Sequence, residues 1–137
     1  MNNTRSARIR WTGRGVVFEG RSGDAPPILL DSDSMEGPSP TEALLMSIGA
    51  CMGVDVRMIL EKGRVPVDGL EIVLEGERAP EAPRRFVSLR LEIRVEGPGP
   101  DDLAKLERAA RLSHEKYCSV FHTLRPDLDV EVTTVRV

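Results

Sequence analysis

Two cysteines, Cys51 and Cys118, are the side chains in this 137-residue sequence best suited to chemistry. They are far apart in the chain and fit neither a CxxC redox motif nor the tight paired spacings of a structural zinc site. Three chemistries stay open. The thiols can be inert packing groups, since free cysteine is among the most buried residue types. They can be redox-active if the fold brings them together and a positive neighbour or helix N-terminus favours the thiolate. Or Cys51 and Cys118 can join His114 and His122 in a four-ligand zinc site. The last option arises because His114, Cys118 and His122, at i, i+4 and i+8, would share one face of a continuous helix. Failing a metal, that face is expected to be wet, with both histidines at the surface.

Local surroundings rank the two thiols. Cys51 lies in a nearly all-apolar segment, on a stripe with Leu44, Ile48, Asp55 and Met58. Burial there raises a thiol's pKa, and Asp55 one turn later opposes a thiolate further. A reactive Cys51 would need help from elsewhere in the fold. Cys118 has His114, Lys116 and Arg125 nearby in sequence, so local charge predicts it as the more activated thiol. A kink at Tyr117-Cys118 would add a helix N-terminus, although no Gly or Pro dictates one. Arg14, between Gly13 and Gly15, reads as a turn residue or as an arginine aimed at a thiolate. Glu42 fits a capping box with Ser39. It is also half a turn out of phase with Cys51 and roughly 13 Å away along the same helix axis.

These residues must be positioned by a regular set of elements. Residues 5–19 read as a hairpin turning at Gly13-Arg14-Gly15, and Ile28-Leu29-Leu30 as a third strand. Asp31 to Pro40 is a polar loop rich in breakers. A helix is predicted from Pro40 to Lys62, with Ser39 as N-cap, Pro40 at the first helical position and Gly63 as the stop. From Leu44 to Val54 it is apolar or small almost all round, which predicts burial on every side. Gly49, Ala50 and Gly53 leave room for other backbone to approach. Residues 67–77 and 85–96 alternate as strands, the second with Val87, Leu89, Leu91, Ile93 and Val95 on one face and an antiparallel setting expected. Leu103 to Tyr117 reads as a helix, Cys118 to Arg125 as a further helical piece ended by Pro126, and Leu128 to Val137 as a closing strand. The predicted class is α+β, in one domain spanning residues 1–137.

Composition narrows the function. With 40% apolar residues the chain has enough material for a core and is not a disordered segment. A net charge of −3 argues against a nucleic-acid module. The run Leu44–Val54 is about half the length of a bilayer span, and no hydrophobic leader follows the N-terminal arginines. A cytoplasmic protein without a membrane partner is expected.

Several blocks taken together resemble the OsmC/Ohr family, in its YhfA-like branch. They are Ser39-Pro-Thr-Glu-Ala-Leu-Leu-Met-Ser-Ile-Gly-Ala-Cys51 followed by Val54-Asp55-Val56, then Ile59-Leu60-Glu61-Lys62-Gly63-Arg64, Glu77-Arg78, and Ser113-His-Glu-Lys-Tyr-Cys118-Ser-Val. The resemblance implies an intertwined homodimer in which an antiparallel sheet packs on a long central buried helix. It also implies thiol peroxidase chemistry, with Cys51 attacking an organic hydroperoxide, Cys118 resolving the sulfenic acid as a disulfide, and an external dithiol restoring both. No metal or organic cofactor is called for. Arg14 and Glu42 stand in for the family's Arg–Glu pair, Glu42 one place later than the family glutamate, where this chain has Thr41. The other reading is a non-enzymatic redox sensor or small-molecule binder on the same fold.

Overall fold

The computed structural model describes residues 2–137. The chain forms two compact units, the first ending at Leu44 and the second comprising Leu45–Val137.

The first unit is a three-stranded antiparallel sheet, β1 (Arg8–Trp11), β2 (Val17–Arg21) and β3 (Ile28–Asp31), in the order β1-β2-β3. Gly13 and Gly15 have positive φ, so the β1–β2 turn uses the conformation that only glycine adopts without strain. The loop after β3 is organised by Asp31, which is almost fully buried. Its carboxylate accepts the backbone N–H groups of Asp33 at 2.9 Å, Met35 at 3.2 Å and Glu36 at 3.0 Å. Those bonds, led by the ones from Asp33 and Glu36, hold Asp31 below the ordinary carboxylate range.

Helix α1 runs Pro40–Lys62, as its capping signals predict. Ser39 and Glu42 close the capping box: Glu42 N–H donates to Ser39 Oγ at 3.3 Å, and Ser39 N–H to Glu42 Oε1 at 2.9 Å. Burial within one chain is one-sided, where the expectation let the middle of the fold or a dimer interface cover the helix. Ile48, Met52, Val56 and Leu60, four residues apart, are buried, but Met46, Val54 and Met58 are more than half exposed. One chain therefore covers one side of α1 and leaves an apolar ridge on the other. By length and composition α1 could cross a membrane, a test that core helices also meet.

In the second unit α1 is followed by β4 (Gly69–Arg78), β5 (Phe86–Glu96), α2 (Leu103–Leu112), a π-helical turn (Ser113–Tyr117), α3 (Ser119–Thr123) and β6 (Asp129–Arg136). The alternation in β5 holds, with Leu89, Leu91, Ile93 and Val95 buried. Val56, Leu60, Ile93, Val95, Leu106 and Ala109 meet in one core cluster. The sheet order is β4-β5-β6; β4 pairs antiparallel with β5, but β6 pairs parallel to it. The expected all-antiparallel sheet is thus mixed, because the helical crossover between β5 and β6 is long enough to return the chain in the same direction. Gly49 and Gly53 do admit a close neighbour, though not backbone: a Cβ there would stand 2.7 Å from Leu74 Cδ1 and 3.2 Å from Ile72 Cδ1. The helix expected over residues 103–117 and the helical piece expected over 118–125 are parted at Cys118, whose φ and ψ of −71° and 98° are extended.

Candidate functional site

The break at Cys118 builds the site. Five residues of π-helix shift the chain out of α register, and Cys118 then caps the short helix α3. Its Sγ accepts the N–H of Phe121 at 3.3 Å, as an N-cap oxygen would. The same turn faces Cys51 of α1. The Cys118 thiol and the backbone N–H of Val120 are near enough to the Cys51 sulfur to favour its negative charge. Ser119 Oγ lies 3.9 Å from it. Two cysteines that are distant in sequence therefore meet as free thiols, Cys51 half-buried and Cys118 fully buried.

Their acidities diverge. Burial pushes Cys51 up, and Asp55 repels its negative charge, but the donors Val120 N–H, Cys118 S–H and Ser119 O–H outweigh both and leave it below the ordinary thiol value. Cys118 is pushed up to about 12, first by burial and then by its neighbour Cys51, so Cys51 is the thiol that ionises first. This reverses the ranking drawn from local charge. The cations near Cys118 in sequence are engaged elsewhere: Arg125 forks onto Asp127 at 3.0 and 3.1 Å, and Lys116 lies over the Tyr117 ring.

The zinc alternative is not assembled. Breaking the helix at Cys118 removes the shared face, and among the described residues no three His, Cys, Asp or Glu side chains are placed to hold a metal ion. The expected wet face is likewise only half present. His122 is exposed, whereas His114 is half-buried, its ring centroid 4.7 Å from that of Phe121 and its Nδ1 buried without a hydrogen-bond partner.

Arg14 and Glu42 belong to the first unit. Arg14 forks onto Glu36, with Nη2–Oε1 at 2.7 Å and Nε–Oε2 at 3.4 Å, in an exposed pair. Glu42 caps α1 and accepts Ser34 Oγ at 3.0 Å; the backbone bond from Ser39 leads the effects that lower its pKa. Within that unit the arginine's carboxylate partner is thus Glu36. Three groups escaped the sequence reading: Asp31, Glu36 and Ser113. Asp31 alone carried a signal, as an aspartate opening a breaker-rich loop. Ser113 Oγ donates to Asp55 Oδ2 at 2.8 Å. Beyond Asp55 a cleft of about 620 Å³ is lined by Met58, Ile59, Leu112 and Tyr117, with Lys62 and Arg108 among its charged groups.

A family model described as OsmC-like protein matches residues 31–133, a stretch that contains both cysteines. The chain belongs to the OsmC-like family. This OsmC-like chain is 44% identical to Protein YhfA of Escherichia coli K12 over 115 residues, covering 83% of this chain and 84% of that protein. Its fold matches that of a hypothetical protein from Aquifex aeolicus VF5, with TM-score 0.87, 27% identity and coverage of 99% and 98% of the two chains. It also matches an organic hydroperoxide resistance protein OsmC from Legionella pneumophila, with TM-score 0.68, 15% identity and 96% of each chain covered. The OsmC-like fold thus extends to proteins described as acting in hydroperoxide resistance.

Proposed function

We propose that this OsmC-like protein is a cysteine-based hydroperoxide reductase acting in oxidative-stress defence. The observation that carries the reading is the thiol pair itself: Cys51 is half-buried with its thiolate favoured, and Cys118 is buried beside it with its pKa raised. The Cys51 thiolate attacks the distal oxygen of the peroxide. The O–O bond breaks, the alkoxide leaves and takes a proton to become an alcohol, and Cys51 becomes a sulfenic acid. Cys118 loses its proton and attacks that sulfur, expelling water and forming the Cys51–Cys118 disulfide. An external dithiol reduces the disulfide by exchange and is itself oxidised. The apolar side of the cleft beyond Asp55 suits the alkyl group of an organic substrate.

The working form in this reading is a homodimer. It is supported by the exposed ridge Met46, Val54 and Met58 on α1, and by Ile9, Trp11 and Ile28, each more than half exposed, in the first unit. The rival reading, a redox sensor or binder, draws on the carboxylate of Asp55, which disfavours negative charge on both sulfurs. Steady-state turnover of an alkyl hydroperoxide with a dithiol separates the two. The enzyme reading expects turnover that disappears in Cys51→Ser; equal, negligible rates for wild type and variant across several peroxides and reductants would leave the sensor.

A further inference from the structure

Asp55 and Ser113 are the parts of the site that this thiol chemistry does not use. Asp55 stands one turn beyond Cys51 on α1 and accepts the Ser113 hydroxyl at 2.8 Å. Ser113 has no exposed surface and is the first residue of the π-turn. Its carbonyl accepts the backbone N–H of Cys118 at 2.9 Å. One residue therefore holds Cys118 through its main chain and α1 through its side chain.

Electrostatics alone argues against a carboxylate at this point, because Asp55 opposes ionisation of both thiols. A neutral residue would leave Cys51 more acidic. The carboxylate makes sense if its hydrogen bond does positional work. A bond from a buried hydroxyl to a charged acceptor is shorter and stronger than a neutral one. Removing the Asp55 carboxylate leaves the buried Ser113 hydroxyl unsatisfied. The segment it holds also needs holding: a π-turn is a rare departure from α geometry, and no glycine or proline within Ser113–Tyr117 imposes it.

We propose that the Asp55–Ser113 hydrogen bond is a positioning clamp, pinning the π-turn to α1 and keeping the Cys118 sulfur within bonding reach of Cys51. Disulfide closure needs a narrow set of distances and torsions, so a turn that drifts loses closing rate before it loses its fold. The clamp takes its purpose from the thiol/disulfide cycle proposed above. As geometry it is a property of the sulfur pair alone, and it can be tested without peroxide.

The test is the rate of Cys51–Cys118 disulfide formation in reduced protein treated with diamide, which takes up the two thiol hydrogens and becomes a hydrazine. Ser113→Ala and Asp55→Ala are expected to close about tenfold more slowly, the scale of a lost hydrogen bond to a charged group. The double variant should close no more slowly than either single one, as for two residues acting through one bond. Asp55→Asn keeps an oxygen acceptor without the charge. It should close within about twofold of wild type, since the bond rather than the charge is retained. Its Cys51 should also react with iodoacetamide at lower pH than in wild type. Lys62 of α1, Arg108 of α2, Tyr117 of the π-turn and His114 beside Ser113 are unchanged in every variant, so that shift reports the Asp55 carboxylate. Thermal melting of each variant separates a lost clamp from a lost fold, and Asp55→Asn stays informative if the alanine variants unfold. Closure at the wild-type rate in both alanine variants overturns the clamp. So does Asp55→Asn closing at less than about a tenth of the wild-type rate while melting like wild type, because a fully retained bond predicts nearly full speed. A wild type that closes under diamide yet reduces no hydroperoxide leaves the clamp standing and removes the enzyme reading.

Discussion

The loop after β3 and the thiol pair of the second unit both favour negative charge, and they do it differently. In the loop, Asp31 is ringed by three backbone N–H groups, and the Arg14 guanidinium grips Glu36. At the thiol pair, the groups that favour the Cys51 thiolate are a backbone N–H, a thiol and a hydroxyl, all neutral. The shared device is the free amide of a turn or first helical turn, whose hydrogen has no partner within its own element. The difference is the cation, which serves an exposed carboxylate, where water screens it. Within the second unit the groups that lower the Cys51 pKa include no guanidinium.

The largest way to break the comparison is to remove a sulfur. Cys51→Ser should reduce hydroperoxide turnover to background. Cys118→Ser should stop after one event, with Cys51 held as a sulfenic acid that a dimedone trap detects by mass. Next comes the pH dependence of the loop. Because the pKa of Asp31 is lowered in the folded state, its stabilisation is present above the usual carboxylate range and lost as pH falls through the lowered value. Asp31→Asn should therefore melt lower than wild type at neutral pH, with the gap closing in acid. Smaller again is Ser119→Ala, which removes the weakest donor to Cys51. Iodoacetamide labelling of Cys51 should slow by about twofold at neutral pH and reach its plateau at slightly higher pH. The smallest effect belongs to Arg14→Ala. Loss of this exposed ion pair should barely change thermal denaturation, and still less in high salt. If Arg14→Ala instead raises the pH needed to label Cys51, the contrast between the two regions fails.

Where the signal was local, the fold was legible. Ser39, Pro40, Glu42 and Gly63 mark both ends of α1 through backbone groups a few residues away, and period-two alternation marks β5. The family resemblance named the cysteine pair, and the fold sets Ser119, next to Cys118, 3.9 Å from the Cys51 sulfur. What could not be read depends on distant partners. Local charge favoured Cys118, but its burial and the nearby Cys51 come from chain folded far away in sequence. The parallel return of β6 depends on the path of the crossover, which no residue pattern states. The exposed ridge on α1 carries the same letters as its buried stripe, so composition predicted burial on every side where one chain provides it on one. The π-turn has no glycine or proline to announce it, and its anchor, Ser113 on Asp55, is a contact across 58 residues.

The most direct test of the central claim is intact mass and peptide mapping of the reduced protein after one equivalent of an alkyl hydroperoxide. The account predicts loss of two hydrogens and a single cross-linked pair of peptides joining Cys51 to Cys118, reversed by a dithiol. Added oxygen retained on Cys51 beside a free Cys118, or no change at either sulfur, would contradict it.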